Sequence, residues 1–319
     1  MTGHSRRGYL RPGEMFPAGD PGYRVSFPRL RSGIRVRVVE KGNVSAPPVL
    51  MIHGWGCSAY IFRENMPAVA EAGFRAIALD LKGHGLSDKP QRASEYTIDS
   101  LVDHVKDVID ALKLERPVLV GHSLGASLIY HFASRHSERV RALALLSPVG
   151  LTGVPLLRLY HLLTPAFMTP VMCRVKPTLI VKAALHRVYG KRGRPTSRDV
   201  EEYLAPAQFR EYAGAVRALL HSYDWWAARN RPLTAVNLPA IGRWGTLDHL
   251  MPKDGMAIYV PLIPGIDLAF IRDAGHVITE ETPHEVNVGL IDLLKRVHDN
   301  PSAGAASQGD DNAADILTG

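Results

Sequence analysis

Residues 117–125 read Pro-Val-Leu-Val-Gly-His-Ser-Leu-Gly. The short apolar run from Pro117 to Val120, with its β-branched residues, predicts a buried strand. It leads directly into Gly121-His122-Ser123-Leu124-Gly125, and an apolar, small-residue helix pattern begins at Ala126 and runs to about His136. A serine between a strand end and a helix start needs a sharp, strained turn. Its flanking positions must lack side chains that would clash, and Gly121 and Gly125 provide that room. The hydroxyl then stands proud of the sheet, beside a helix N-terminus that favours negative charge. A bare G-x-S-x-G pattern arises by chance in many chains. The strand–turn–helix context makes this one a nucleophile elbow.

The rest of the chain alternates in the same way. Ile34 to Val39 alternates apolar and basic, as a half-buried strand does, and Val49 to Ile52 is a continuous apolar run suited to the interior of a parallel sheet. A helix is expected over residues 61–72, closed by Gly73, then a strand from Phe74 to Leu79 ending at Asp80. Ile98, Leu101, Val102, Val105, Val108, Ile109 and Leu112 repeat at helical spacing behind Thr97, the expected N-cap. After the elbow comes a strand over Val140–Leu146. Strands over Leu238–Trp244 and Ile266–Ile271 bracket a helical stretch near 253–260, and a helix runs from about Pro283 to Val297. Strands alternating with helices predict an α/β chain with a mostly parallel central sheet flanked by helices. Residues 151–235 break the rhythm: they hold no clear strand and are rich in Leu, Arg, Pro and Tyr at helical spacing. The expected organisation is a flexible leader over 1–22, a core built from 23–150 and 236–298, a helical insertion over 151–235, and a disordered tail over 299–319.

Composition narrows the setting. A chain of 319 residues, 46% hydrophobic, can bury a sizeable core. No apolar run reaches the ~18–20 residues of a membrane span, and the polar N-terminus has no apolar segment of the secretory kind. Cys57 and Cys173 match no metal or redox spacing, so no metal or cofactor is implied and a reducing cytoplasm is the simplest location. The net charge of +7 is uneven: residues 151–200 carry nine Lys or Arg and a single acid, Asp199. Such a face suits an anionic substrate, an acidic partner or lipid headgroups. No aromatic-interleaved basic stripe points to nucleic acid.

A serine hydroxyl needs an imidazole to take its proton and a carboxylate to orient that imidazole. Of fourteen histidines, His276 stands just past the last strand, in Asp273-Ala274-Gly275-His276, at the carboxyl edge shared with the elbow. His122 should point away from Ser123 and act structurally, and His249, His284 and His298 read as surface residues. The acid should follow the strand Leu238–Trp244, where Gly245-Thr246-Leu247-Asp248 provides it. Asp254 is deeper in the next helix and weaker. Ser147-Pro148, after the preceding strand, offers no carboxylate. His53-Gly54-Trp55-Gly56 follows the buried strand Val49–Ile52, and the N–H groups of Trp55 and Leu124 are the expected oxyanion donors.

His53-Gly54, the segment Asp80-Leu81-Lys82-Gly83-His84-Gly85-Leu86-Ser87, the elbow, Asp248 and His276, in that order, make the chain resemble the α/β-hydrolase superfamily over about 30–150 and 236–298. The resemblance implies the α/β-hydrolase fold with 151–235 as a helical cap, and a structural loop at Asp80–Ser87. Similar cap-bearing epoxide hydrolases and haloalkane dehalogenases use a carboxylate nucleophile to form an alkyl-enzyme ester, and that position here is Ser123. Serine implies acyl transfer, and activity that rises with pH as His276 becomes neutral. The expected substrate is a hydrophobic ester or thioester. Candidate pocket residues are His53, Gly54, Trp225, Trp226, Leu163 and Phe167. An apolar cap run (Leu156, Leu157, Leu159, Leu162, Leu163, Phe167, Met168, Val171 and Met172) reads as helix packing before pocket wall. The same residues also suit a carbon–carbon bond hydrolase, or a biosynthetic thioesterase, acyltransferase or eliminase. A non-enzymatic ligand-binding protein on this fold is a third reading. Oligomeric state is open.

Overall fold

The computed structural model describes residues 8–154, 157–172, 174, 177–251 and 253–299. Leu156, Cys173, the first seven residues and the tail from residue 300, together with the side chains of Met172 and Asp254, lie outside them.

Eight strands form one sheet: β1 Arg24–Ser26, β2 Val38–Lys41, β3 Pro48–Ile52, β4 Arg75–Leu79, β5 Val118–His122, β6 Ala142–Leu146, β7 Ala240–Gly245 and β8 Asp267–Ile271. Their spatial order is β1-β2-β4-β3-β5-β6-β7-β8. β1–β2 and β2–β4 are antiparallel, and every other pair is parallel. The parallel strands read as apolar runs because both faces are covered. Alternate residues feed two cores: Leu50, Ile52 and Leu119 enter one apolar cluster, while Val49, Met51, Val118 and Val120 enter the other. Helices α1 Asn65–Glu71, α2 Ile98–Ala111 and α3 Leu124–Ala133 precede the cap. The cap holds α4 Leu157–Leu163, α5 Thr169–Met172, α6 Thr178–Val188, α7 Ser197–Leu204, α8 Tyr212–Ser222 and α9 Ala227–Asn230. α10 Tyr259–Leu262, α11 Ile278–Glu281 and α12 Pro283–Asp299 complete the chain. The Thr97 hydroxyl caps α2 by accepting from the Ser100 N–H at 3.2 Å.

Three expectations change. The stretch 34–39 is a strand only from Val38, because the Arg35 N–H donates to Asp88 Oδ2 and the Arg37 N–H to Ser87 Oγ instead of to a ladder. The Arg37 guanidinium is buried and paired with Asp80 at 3.2 Å. The helix over 61–72 is split into a 3-10 turn at Ala59–Phe62 and α1. Pro67 has no N–H to bond the preceding turn, so it sits in the first turn of a new helix. The leader is also attached. Met15 is buried, the Phe16 N–H donates to Glu202 Oε1 at 2.7 Å, the Phe16 carbonyl meets the Arg37 guanidinium, and Gln208 reaches the Leu10 carbonyl. Met15 and Phe16 supply apolar anchors within a segment whose average composition reads as loose.

Candidate active site

Ser123 follows β5 and precedes α3, with φ 56° and ψ −119°. That is left-handed backbone forced on a residue with a side chain, and such strain is held only by surroundings that over-determine it. Those surroundings are specific. The Ser123 N–H donates to the Leu146 carbonyl at 2.9 Å, locking the turn to β6. A Cβ on Gly121 would come within 2.5 Å of the Ala126 backbone, and one on Gly125 would fall on the Ile52 carbonyl oxygen. Gly125→Ala should therefore destabilise the chain by about 3 kcal/mol, the upper range for overpacking, because the obstacle is rigid backbone. Thermal unfolding checks this, and an unchanged midpoint would show that β3 can move aside.

Ser123, Trp55, Asp248 and His276 follow β5, β3, β7 and β8, so all stand at the carboxyl ends of parallel strands. β4 and β5 lie on opposite sides of β3, and the crevice where a sheet changes direction is where α/β folds place their sites. His276 Nδ1 is 2.7 Å from Asp248 Oδ2 and both side chains are buried. Asp248 Oδ1 accepts the N–H groups of Leu250 at 2.8 Å and Met251 at 3.3 Å. Burial works against the Asp248 charge, but His276 and these donors outweigh it and hold the carboxyl below its ordinary pKa. The bond to Asp248 engages Nδ1 and leaves Nε2 as the His276 nitrogen able to take a proton. The Ser123 hydroxyl has no hydrogen-bond partner among the described residues. The His122 ring lies 5.0 Å from the His276 ring, which sets that imidazole beside the elbow.

Gly54 packs directly on the serine: a Cβ there would stand 2.7 Å from Ser123 Cβ. The backbone N–H groups of Trp55 and Leu124 have no partner among the described residues, so both are available to an oxyanion. The cap holds the Trp55 loop. The indole N–H donates to the Val216 carbonyl on α8 at 2.9 Å, and the ring lies 6.5 Å from that of Tyr160 on α4.

The other pocket candidates are placed differently. His53 is fully buried, bridging the Gly54 carbonyl through Nδ1 and the Leu81 N–H through Nε2, and burial keeps it neutral by lowering its pKa. Trp225 lies in the core with its indole N–H on the Leu220 carbonyl, and Trp226 packs on Gly153. Leu163 and Phe167 face solvent. For Leu163 and Phe167, apolar spacing identified a stripe but carried no information about which side is covered. A cavity of about 400 Å³ is lined by Phe16, Tyr60, Arg63, Thr196, Arg198 and Asp199, and none of its lining residues belongs to the serine site.

Sequence reading missed the supports of the His276 loop. The His276 N–H donates to the Val188 carbonyl at 2.7 Å, and the Lys191 N–H donates to the Asp273 carbonyl at 2.7 Å. Glu281 accepts the N–H groups of Gly275, Gly190 and Arg192 at 2.6, 2.9 and 3.0 Å. His122 Nε2 reaches the His276 carbonyl at 3.0 Å, and burial first, then His276, lowers the His122 pKa to about 3. As a neutral ring with its proton on Nε2, His122 braces this loop. Glycine at 190 and 275 lets two backbones meet, since a Cβ on either would come within about 2.5 Å of the other segment. Those two glycines were the only signal the sequence carried for this contact. The cap is fastened here as well: Arg63 pairs with Glu280 at 2.6 Å and with Asp199 on α7 at 2.8 Å. Among the described residues no group of three His, Cys, Asp or Glu side chains is arranged to hold a metal ion.

This sheet, elbow and cap define an α/β-hydrolase fold, and the family model for that fold matches residues 47–171. The chain has the α/β-hydrolase fold and resembles that superfamily over the matched residues. It is similar to Cfl2 from Burkholderia cenocepacia, whose crystal structure superposes with a TM-score of 0.74 at 26% identity over 86% of this chain and 97% of that one. The AB hydrolase superfamily protein YfhM of Bacillus subtilis is 26% identical over 83% of this chain and 96% of its own. Epoxide hydrolase A of Mycobacterium tuberculosis is 39% identical, but the match spans 36% of each chain, so about a third of that relative's length.

Proposed function

We propose that this chain is a serine hydrolase that cleaves a carboxylic ester of a hydrophobic small molecule through an acyl-enzyme on Ser123. The observation that carries the reading is the strained Ser123 elbow, presented beside an imidazole whose Nδ1 is engaged 2.7 Å from Asp248. His276 Nε2 takes the hydroxyl proton as Ser123 Oγ attacks the ester carbonyl. Negative charge develops on the carbonyl oxygen, and the N–H groups of Trp55 and Leu124 stabilise it. The imidazolium, balanced by Asp248, then protonates the departing alkoxide. Water, deprotonated by the same nitrogen, releases the acid and restores Ser123.

Relatives named epoxide hydrolases favour a rival reading, and the identity of residue 123 weighs against it. An epoxide opened by a carboxylate leaves an ester, which water can cleave. An epoxide opened by a serine leaves an ether, which has no carbonyl for water to attack. Thioesters remain within reach of the proposed chemistry, because their carbonyl reacts in the same way.

A panel of p-nitrophenyl acyl esters, acyl thioesters and aryl epoxides separates these readings. The expected result is ester hydrolysis, with an acyl adduct on the Ser123 peptide trapped at short times and read by mass. Diol formation from the epoxide with inert esters would overturn the proposal.

A further inference from the structure

The cap exposes a run of large apolar side chains. Twelve large hydrophobic side chains are exposed among the described residues. Seven of them fall between residues 159 and 180: Leu159, Leu162, Leu163, Phe167, Val171, Leu179 and Ile180. The other five (Val25, Phe27, Val44, Val260 and Val288) are scattered singly, as is ordinary for a protein surface. On α4 the exposed leucines sit at positions i, i+3 and i+4, one face of the helix, while Leu157, Tyr160 and His161 occupy the covered side. This helix therefore offers leucines to solvent and sends Tyr160 and His161 inward, with His161 Nε2 2.8 Å from the Leu220 carbonyl. Leu162 is 76% exposed, Phe167 78% and Leu179 81%, values near those of a free side chain. Concentrated surface of this kind marks an interaction site.

Charge identifies the partner. Arg158, Arg174 and Lys182 are exposed among these apolar residues. The one acid in residues 151–200 is Asp199, which is buried and paired with Arg63. Exposed leucine and phenylalanine interleaved along the chain with cations, in a stretch whose one acid is buried and paired, match the two layers of an anionic membrane surface: headgroup phosphates outside and acyl chains just beneath. A second copy of the same face would set cations against cations. No helix among the described residues is long and apolar enough to cross a membrane, so contact with a bilayer would be with its surface.

We infer that the exposed cap residues Leu159, Leu162, Leu163, Phe167, Val171, Leu179 and Ile180 dock on an anionic lipid bilayer. Docking uses none of the residues assigned to the Ser123 chemistry and stands or falls without it. The test is co-sedimentation of the full chain with vesicles of phosphatidylcholine plus phosphatidylglycerol, and with phosphatidylcholine alone. The expected result is binding to the anionic vesicles that weakens with added salt. L162D/F167D should lower the bound fraction by about tenfold or more, and so should R158E/K182E, given the attraction each cation contributes at such a surface. These four side chains are exposed, so thermal midpoints should match the parent. No sedimentation with anionic vesicles at low salt, or both variants binding like the parent, would overturn the inference. A concentration-dependent dimer dispersed by L162D/F167D would also overturn it and assign the face to a second copy.

Discussion

Ser123→Ala should lower kcat by between about 10⁴- and 10⁶-fold, the range for removing the nucleophile of a Ser-His-Asp unit. Intrinsic stability should change little. The hydroxyl has no hydrogen-bond partner among the described residues, and alanine keeps the Cβ that Gly54 accommodates. Stability gives a second measurement. At φ 56° any Cβ is strained, so Ser123→Gly should unfold at a higher temperature than Ser123→Ala, by about 1 kcal/mol of stability. The first variant tests the chemistry and the pair tests the strained turn. A fluorophosphonate probe read by intact mass should label the parent once and neither variant. Ordinary ester turnover by Ser123→Ala would move the nucleophile elsewhere.

The features legible in the sequence are those whose physical cause is local. A buried parallel strand reads as an apolar run, and β3, β4, β5 and β6 each lie within a residue or two of the expected stretch. The elbow was legible because a strained turn demands glycine at fixed offsets. Asp248 and His276 could be placed because each lies just beyond a strand that a parallel sheet brings to one edge. What remained hidden depends on contacts distant in sequence. Glu281 holds Gly190 from 91 positions away, and nothing in a periodicity marks that pairing. The Leu10–Phe16 segment is held by Gln208, Glu202 and Arg37, again from far along the chain. Leu163 and Phe167 show the same limit from the other side. Their spacing defined an apolar helical face, and only the packing of α4 and of the turn Ala166–Met168 against their neighbours decides that these side chains are outward.

Asp248→Asn should cost about 10⁴-fold in kcat, the loss expected when the base is held in the wrong tautomer, and the geometry explains why no side-chain flip can rescue it. Asp248 Oδ1 accepts two backbone N–H groups, from Leu250 and Met251. An asparagine must keep its carbonyl oxygen there, since turning the amide would aim its N–H₂ at those donors. The amide nitrogen then faces His276 Nδ1, which must become an acceptor, and the ring proton moves to Nε2. An imidazole protonated at Nε2 cannot take the Ser123 proton. A stability measurement separates this from unfolding. The Asp248 carboxyl has a lowered folded pKa, with burial opposing and His276 outweighing it. Its contribution is therefore complete above the ordinary carboxylate value of 3.8 and is lost as pH falls through the lower folded value. The parent should unfold at a higher temperature than Asp248→Asn near neutrality, and the gap should narrow on acidification. A variant that folds and turns over as fast as the parent would show that the carboxylate does not set the tautomer. Asp248 would then be a structural anchor for the loop after β7, and the orienting role would pass to another group.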